Sequence, residues 1–184
     1  MAVWMSADAP CRAGVLEDYL LGKGVDLTNA QAASSKVAAL PATAGYPTTL
    51  DLRRSRTIEV ANANAVATPV VVLNLTDLTL SRDVVLTLKS ANPNAIFIIN
   101  VKRSFSLNGA KIDLKGIAKE NVIYNYVGAG APRVSGGAKL VGMMLSVVAA
   151  NFTGGSKLSG KVVGAPPNSV GGGSVVPKPP SVSL

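Results

Sequence analysis

The chain has 184 residues, 48% of them apolar and 15% charged, with 18 Lys plus Arg against 10 Asp plus Glu. That length supports one domain with a real core, and the composition is too apolar for wholesale disorder. No histidine occurs, which excludes Ser-His, Cys-His and His-metal chemistry, and neither a cofactor nor a metal site is expected.

The net charge of +8 is unevenly spread. Residues 1–83 hold seven basic and eight acidic side chains, whereas residues 84–184 hold eleven and two, the two being Asp113 and Glu120. Such asymmetry points to an anionic partner or to a solvated face.

Residues 1–14 show no period and are expected to form an N-terminal tail, with the single cysteine, Cys11, loose within it. No secretory or lipoprotein signal precedes Cys11, so the chain is read as a processed product or as one that stays inside the cell. The longest apolar stretch, Leu140 to Ala150, is shorter than the ~20 residues of a bilayer span, and no membrane-spanning segment is expected. A single domain is expected over 15–164. It opens with two helical pieces, a short one at Val15–Leu21 and an alanine-rich one around 28–40. The second has Thr28 or Asn29 as N-cap and Pro41 as its stop. Ala33, Val37 and Leu40 share one face of it, suited to lying flat on something larger.

After Pro47 short β-branched runs take over, separated by Gly, Asn and Ser: 57–60, 70–75, 84–88, 96–101, 122–126, 145–148 and 161–163. With no helical pattern between them they predict an all-β body. An internal repeat chooses among sandwich, barrel and solenoid. Asn74, Asn100, Asn125 and Asn151 each follow two apolar residues and precede a third, at spacings of 26, 25 and 26 residues. Near-constant spacing predicts a β-solenoid (β-helix) with coils of about 25–26 residues, in which the four amides form a structural ladder along the stack. A second repeat places Lys111, Lys139 and Lys157 after glycine turns, at spacings of 28 and 18. It drifts against the first, and the more regular asparagines are expected to carry the register. Residues 165–184, with Pro166-Pro167, Gly171-Gly172-Gly173 and Pro177-Lys178-Pro179-Pro180, read as a C-terminal tail or linker.

The segments 38–43, 95–101 and 121–126 resemble the choice-of-anchor A domain of bacterial surface proteins, and 142–163 resembles its closing coil with a final Gly160-Lys161-Val162-Val163. That family is similar in turn to the ice-binding-like β-solenoids, which lay one helix alongside a β-helix. The resemblance spans roughly residues 20–165. Two departures stand out. The family carries glycine-rich strands upstream of the alanine helix, which are expected to be missing here. It also favours an Ala-Pro pair after the aliphatic strand, where this chain reads Leu145-Ser146-Val147-Val148-Ala149. A solenoid lacking those strands would expose a sheet edge to another chain.

The leading expectation is a non-catalytic structural or adhesive module, extracellular or at the cell surface, with other copies or cell-surface components as partners. The first alternative is binding of an anionic polymer, an acidic polysaccharide or nucleic acid, through Lys102, Arg103, Lys111, Lys139, Lys157 and Lys161, with Lys115, Lys119 and Arg133 nearby in sequence. Interleaved aromatic residues, which a nucleic-acid platform needs, are missing. The second alternative is ice binding, for which Thr76, Thr79 and Thr87 are the candidates. Catalysis is not expected. Asp113 and Glu120, or Asp77 and Asp83, have no catalytic spacing, and Arg53, Arg54 and Arg56 beside Asp51 and Glu59 read as a charged corner.

Overall fold

The computed structural model describes residues 27–61, 67–164 and 169–170. The expected tail over 1–14 with Cys11, the short helix at Val15–Leu21, and all of the 165–184 segment except Ser169 and Val170 lie outside them. One helix, α1 (Leu27–Ala38), precedes the strands β1 (Leu50–Leu52), β2 (Arg56–Glu59), β3 (Val70–Leu80), β4 (Val85–Lys89), β5 (Ile96–Asn108) and β6 (Lys111–Lys115). A 3-10 turn at Lys119–Asn121 leads to β7 (Val122–Tyr126), β8 (Arg133–Ser135), β9 (Lys139–Ser146), β10 (Asn151–Phe152), β11 (Lys157–Gly164) and β12 (Ser169–Val170). The helix begins at Leu27, so Thr28 and Asn29 lie in its first turn rather than capping it, and it stops at Ala38 instead of 40.

Every ladder is parallel, and each strand pairs with the coil before or after it, so the sheet winds into a β-solenoid. Three faces result. The first stacks residues 70–75, 96–101, 122–126, 143–146 and 161–164. The second stacks β1, the ends of β3 and β5, then β8, β10 and β12. The third stacks β2, β4, β6 and the starts of β9 and β11. β3 and β5 each serve two faces, turning the corner at a register shift between Leu75 and Asp77. β1, β6, β8 and β10 carry at most one β-branched residue each, so no strand is legible there from sequence.

Inward residues of the three faces fill one core, with Leu73, Leu86, Phe97, Ile99, Leu107, Ile112, Tyr124 and Phe152 all buried. On the first face the outward residues are buried too. Val72, Ile98, Ile123 and Met143 pack against Val37 of α1, and Leu145 meets Ala33. A strand covered on both sides reads as a continuous apolar run, which is why these strands stood out. Segment 39–48 covers the open edge of β3: Thr43 donates its N–H to Val72 O at 2.9 Å and accepts from Val72 N–H through Oγ1 at 2.9 Å, and Thr76 N–H reaches Thr48 O at 2.8 Å.

Beneath α1 runs a chain of amides. Asn125 Nδ2 donates to Asn100 Oδ1 at 2.8 Å, and Asn100 Nδ2 to Asn74 Oδ1 at 2.7 Å. The same amides donate to Ser34 O, Val37 O and Leu40 O at 3.0, 3.0 and 2.9 Å, and Ser34 Oγ donates back to Asn125 Oδ1 at 2.7 Å. The fit is metrical. Three residues of helix rise ~4.5 Å, close to the ~4.8 Å between neighbouring strands, so each rung meets a carbonyl three residues further along.

Asn151 is not a rung. The residue beside Asn125 in the next coil is Leu145, and Asn151 lies on the second face between Arg133 and Ser169. The cause is a change of coil length. β9 passes from the third face at Lys139 directly to the first at Met143, without the corner that residues 116–121 make one coil earlier, and β11 repeats this 18 residues on. The lysine repeat is therefore the one in register throughout, and coils of 25–26 residues hold only for the earlier part. Gly142 and Gly160 stack at the new bend: a Cβ on Gly160 would lie 1.8 Å from Gly142 O, and one on Gly142 2.9 Å from Val122 O.

Two stability outcomes follow. Asn100→Ala leaves Asn74 Oδ1 without its donor and opens a void, and should cost about 2–4 kcal/mol in urea unfolding. Gly160→Ala should abolish or severely weaken folding. Gly137→Ala, with positive φ but open space around it, should cost only about 1 kcal/mol.

Candidate binding surface

The outer sides of the second and third faces carry the polar residues, and their order follows from the ladder register. On the third face Lys111 pairs with Lys139 and Lys139 with Lys157, so three lysines stand in one row across three coils. Each follows a turn whose glycine takes positive φ: Gly109, then Gly136 with Gly137, then Gly154 with Gly155. Main-chain bonds fix the row, from Lys111 N to Val84 O (2.9 Å), Lys139 N to Ala110 O (2.8 Å) and Lys157 N to Ala138 O (2.8 Å). A second row runs Glu59, Lys89, Lys115.

The other candidates are elsewhere. Lys102 and Arg103 sit where β5 turns from the first face to the second, and Lys161 pairs with Met143 at the far end of the helix-covered face. Arg133 is on the second face, and Lys119 is in the 3-10 turn. Of the six candidates read from the sequence, the structure brings Lys111, Lys139 and Lys157 into one row and leaves Lys102, Arg103 and Lys161 outside it. Lys89 was missed, although the alternation Thr87-x-Lys89 and Asp113-x-Lys115 repeats its position from one coil to the next.

Four of the carboxylates considered for chemistry are engaged in ion pairs. Asp113 meets Lys111 at 3.1 Å, Glu59 meets Lys89 at 2.9 Å, and Glu120 meets Lys119 at 4.0 Å. Asp77 accepts two bonds from Arg103, one from Nε at 2.9 Å and one from Nη2. That hydrogen bonding, opposed by some desolvation and helped by the guanidinium charge, holds the Asp77 carboxyl below its ordinary range. Asp83 takes positive φ at a corner. Among the described residues no three potential metal ligands cluster. Arg53, Arg54, Ser55 and Arg56 border a wide-open depression of ≈ 450 Å³ with Asp51 and Leu52.

The threonines do not build a regular surface. Thr79 is followed along its row by Ser106 and Arg133, and Thr87 has Thr57 on one side and Asp113 on the other. Five aromatic rings among the described residues face inward. Phe97, Phe105, Tyr124, Tyr126 and Phe152 are buried, Phe105 stands edge-on to both tyrosines, and burial pushes the Tyr124 and Tyr126 hydroxyls up.

A family model described as "Putative Ice-binding-like adhesive domain" matches residues 24–175. No curated protein and no solved structure matches the chain. Among the described residues no helix is long and apolar enough to cross a membrane.

Because the folded state lowers the pKa of Asp77, the Arg103 pair stabilises the protein above the ordinary carboxyl pKa, and its contribution is lost as pH falls through the lower folded value. Asp77→Asn should therefore lower the melting temperature slightly near neutrality, the Arg103 side chain being 74% exposed. The gap from the parent should close below about pH 4, as followed by thermal melts across pH.

Proposed function

Since the chain belongs to the family of ice-binding-like adhesive domains, we propose that it is a non-catalytic adhesive module, presented outside the cell or at its surface as part of a larger assembly. The observation that carries this reading is the family match over most of the chain. Two features of the molecule support it. The solenoid interior is filled by side chains, and Glu59, Asp77, Asp113 and Glu120 each pair with lysine or arginine rather than with one another. What the fold offers is flat outer surface, whose role is contact.

The finer kinship, to choice-of-anchor A domains of bacterial surface proteins, rests on the helix packed on the β-helix and on the closing Gly160-Lys161-Val162-Val163 strand. Ice binding is the weaker form of the adhesive reading, because the threonine rows break after one or two coils.

Display of the chain on a non-adherent bacterium tests the proposal. Several-fold more cells should be retained under flow than with an unrelated β-domain, on glass, on a polysaccharide coat, or on a layer of cells displaying the same chain. Retention equal to the control on all three overturns adhesion. Light scattering tests the assembly part, which a strictly monomeric protein at high concentration removes.

A further inference from the structure

We propose that the third face is where this adhesive module holds an acidic polysaccharide, the polymer lying along the solenoid axis with its anionic groups over Lys111, Lys139 and Lys157. The inference rests on the adhesive reading and supplies its ligand.

The first argument is that this row is unfavourable for folding. Like charges placed directly opposite on neighbouring strands destabilise a sheet. Here three lysines stand in adjacent coils, ~4.8 Å apart between strands. Lys111 has Asp113 beside it, but among the described residues Lys139 and Lys157 have no acidic partner. In the second row Glu59 neutralises Lys89, and among the described residues Lys115 has no acidic partner. The face thus presents five lysines with two carboxylates among them, and the excess lies toward the later coils.

The second argument removes the commonest reason for lysines on a sheet. Edge strands use lysine to repel other chains. Lys111 and Lys139 are not on edges: β6 lies between β4 and β9, and β9 between β6 and β11. Among the described residues Lys139 has no ion pair and Lys111 pairs only with Asp113 beside it, while Lys157 is on β11, whose one described neighbour is β9.

The third argument concerns shape. The glycine turns set each of the three lysines at the same register, so they stand in one row with one residue of the row per coil. A linear polymer carrying regularly repeated carboxylates or sulfates matches such a line, and ammonium groups serve it as point charges without bidentate geometry. Nucleic acid fits less well. Single strands want aromatic platforms for their bases, and among the described residues Phe97, Phe105, Tyr124, Tyr126 and Phe152 are turned into the core.

The test titrates the purified chain with alginate, a linear uronic acid polymer, at about 50 and 200 mM salt. Binding should appear at the lower salt and weaken steeply at the higher. The double variant K139E/K157E should lose about tenfold or more in affinity, while K102E/K161E, equal in charge change but on other surfaces, should bind as the parent does. K139Q/K157Q provides a milder reading should charge reversal disturb folding, and it should melt above the parent at low salt because the repulsion is relieved. No binding at low salt, equal loss in both double variants, or tighter binding of single-stranded DNA than of alginate would overturn the proposal. In the flow assay, unchanged attachment by K139E/K157E after its alginate binding is lost overturns the polysaccharide as ligand and leaves adhesion standing. Absent attachment by a parent chain that still binds alginate overturns the adhesive reading instead.

Discussion

Three stacked amides, Asn100 and Asn125 fully buried and Asn74 half-buried, depend on two structures at once. Asn74, Asn100 and Asn125 stack only if their strands are in register, and their remaining donors are satisfied only if the helix end is laid along the stack. A buried amide without partners costs about 1–3 kcal/mol, so a coil without its helix is penalised, and so is a helix displaced along the sheet. The apolar contacts of Val37 with Val72, Ile98 and Ile123 would tolerate sliding far better, because dispersion and burial have no direction. The ladder is thus what fixes the helix to one position, and through it the segment that shields the edge of β3.

Beyond the third amide the molecule changes design. The ladder stops at Asn125, and the next outward position, Leu145, is apolar and packs under Ala33. From there the coil loses a corner, and a glycine pair takes over the turn. The earlier coils are held to the helix by polar bonds, whereas the later ones meet it through apolar side chains and approach one another closely through backbone at Gly142 and Gly160. This gives the two ends of the solenoid different sensitivities: the first to loss of a side-chain amide, the second to gain of a single methyl group.

How much of this was legible follows from the same change. The solenoid, the helix lying on it and the roles of Asn74, Asn100 and Asn125 could be read because strands buried on both sides make apolar runs with one polar residue at a fixed place. Asn151 deceived because its spacing from Asn125 equals a full coil, while the coil that intervenes is a short one. The lysine repeat carried the true register, and its spacings of 28 and 18 recorded the shortening. Regular spacing was a good guide to the period and a poor guide to where the period ends. The basic residues were legible as an excess but not as a surface, since only pairing across coils shows that Lys139 and Lys157 are neighbours and Lys102 is not.

The helix also acts as a ruler. Its 12 residues measure ~18 Å. The five strands of the first face, β3, β5, β7, β9 and β11, occupy four spacings, ~19 Å in all. A solenoid has no intrinsic length, since any coil can template another. Here a further coil with an apolar outer side would project past the cover, and extending the cover by one strand would take about three more helical residues. Among the described residues the length of the cover thus matches the stack of strands beneath it, and adding one more covered strand would take insertions at two distant places in the chain together.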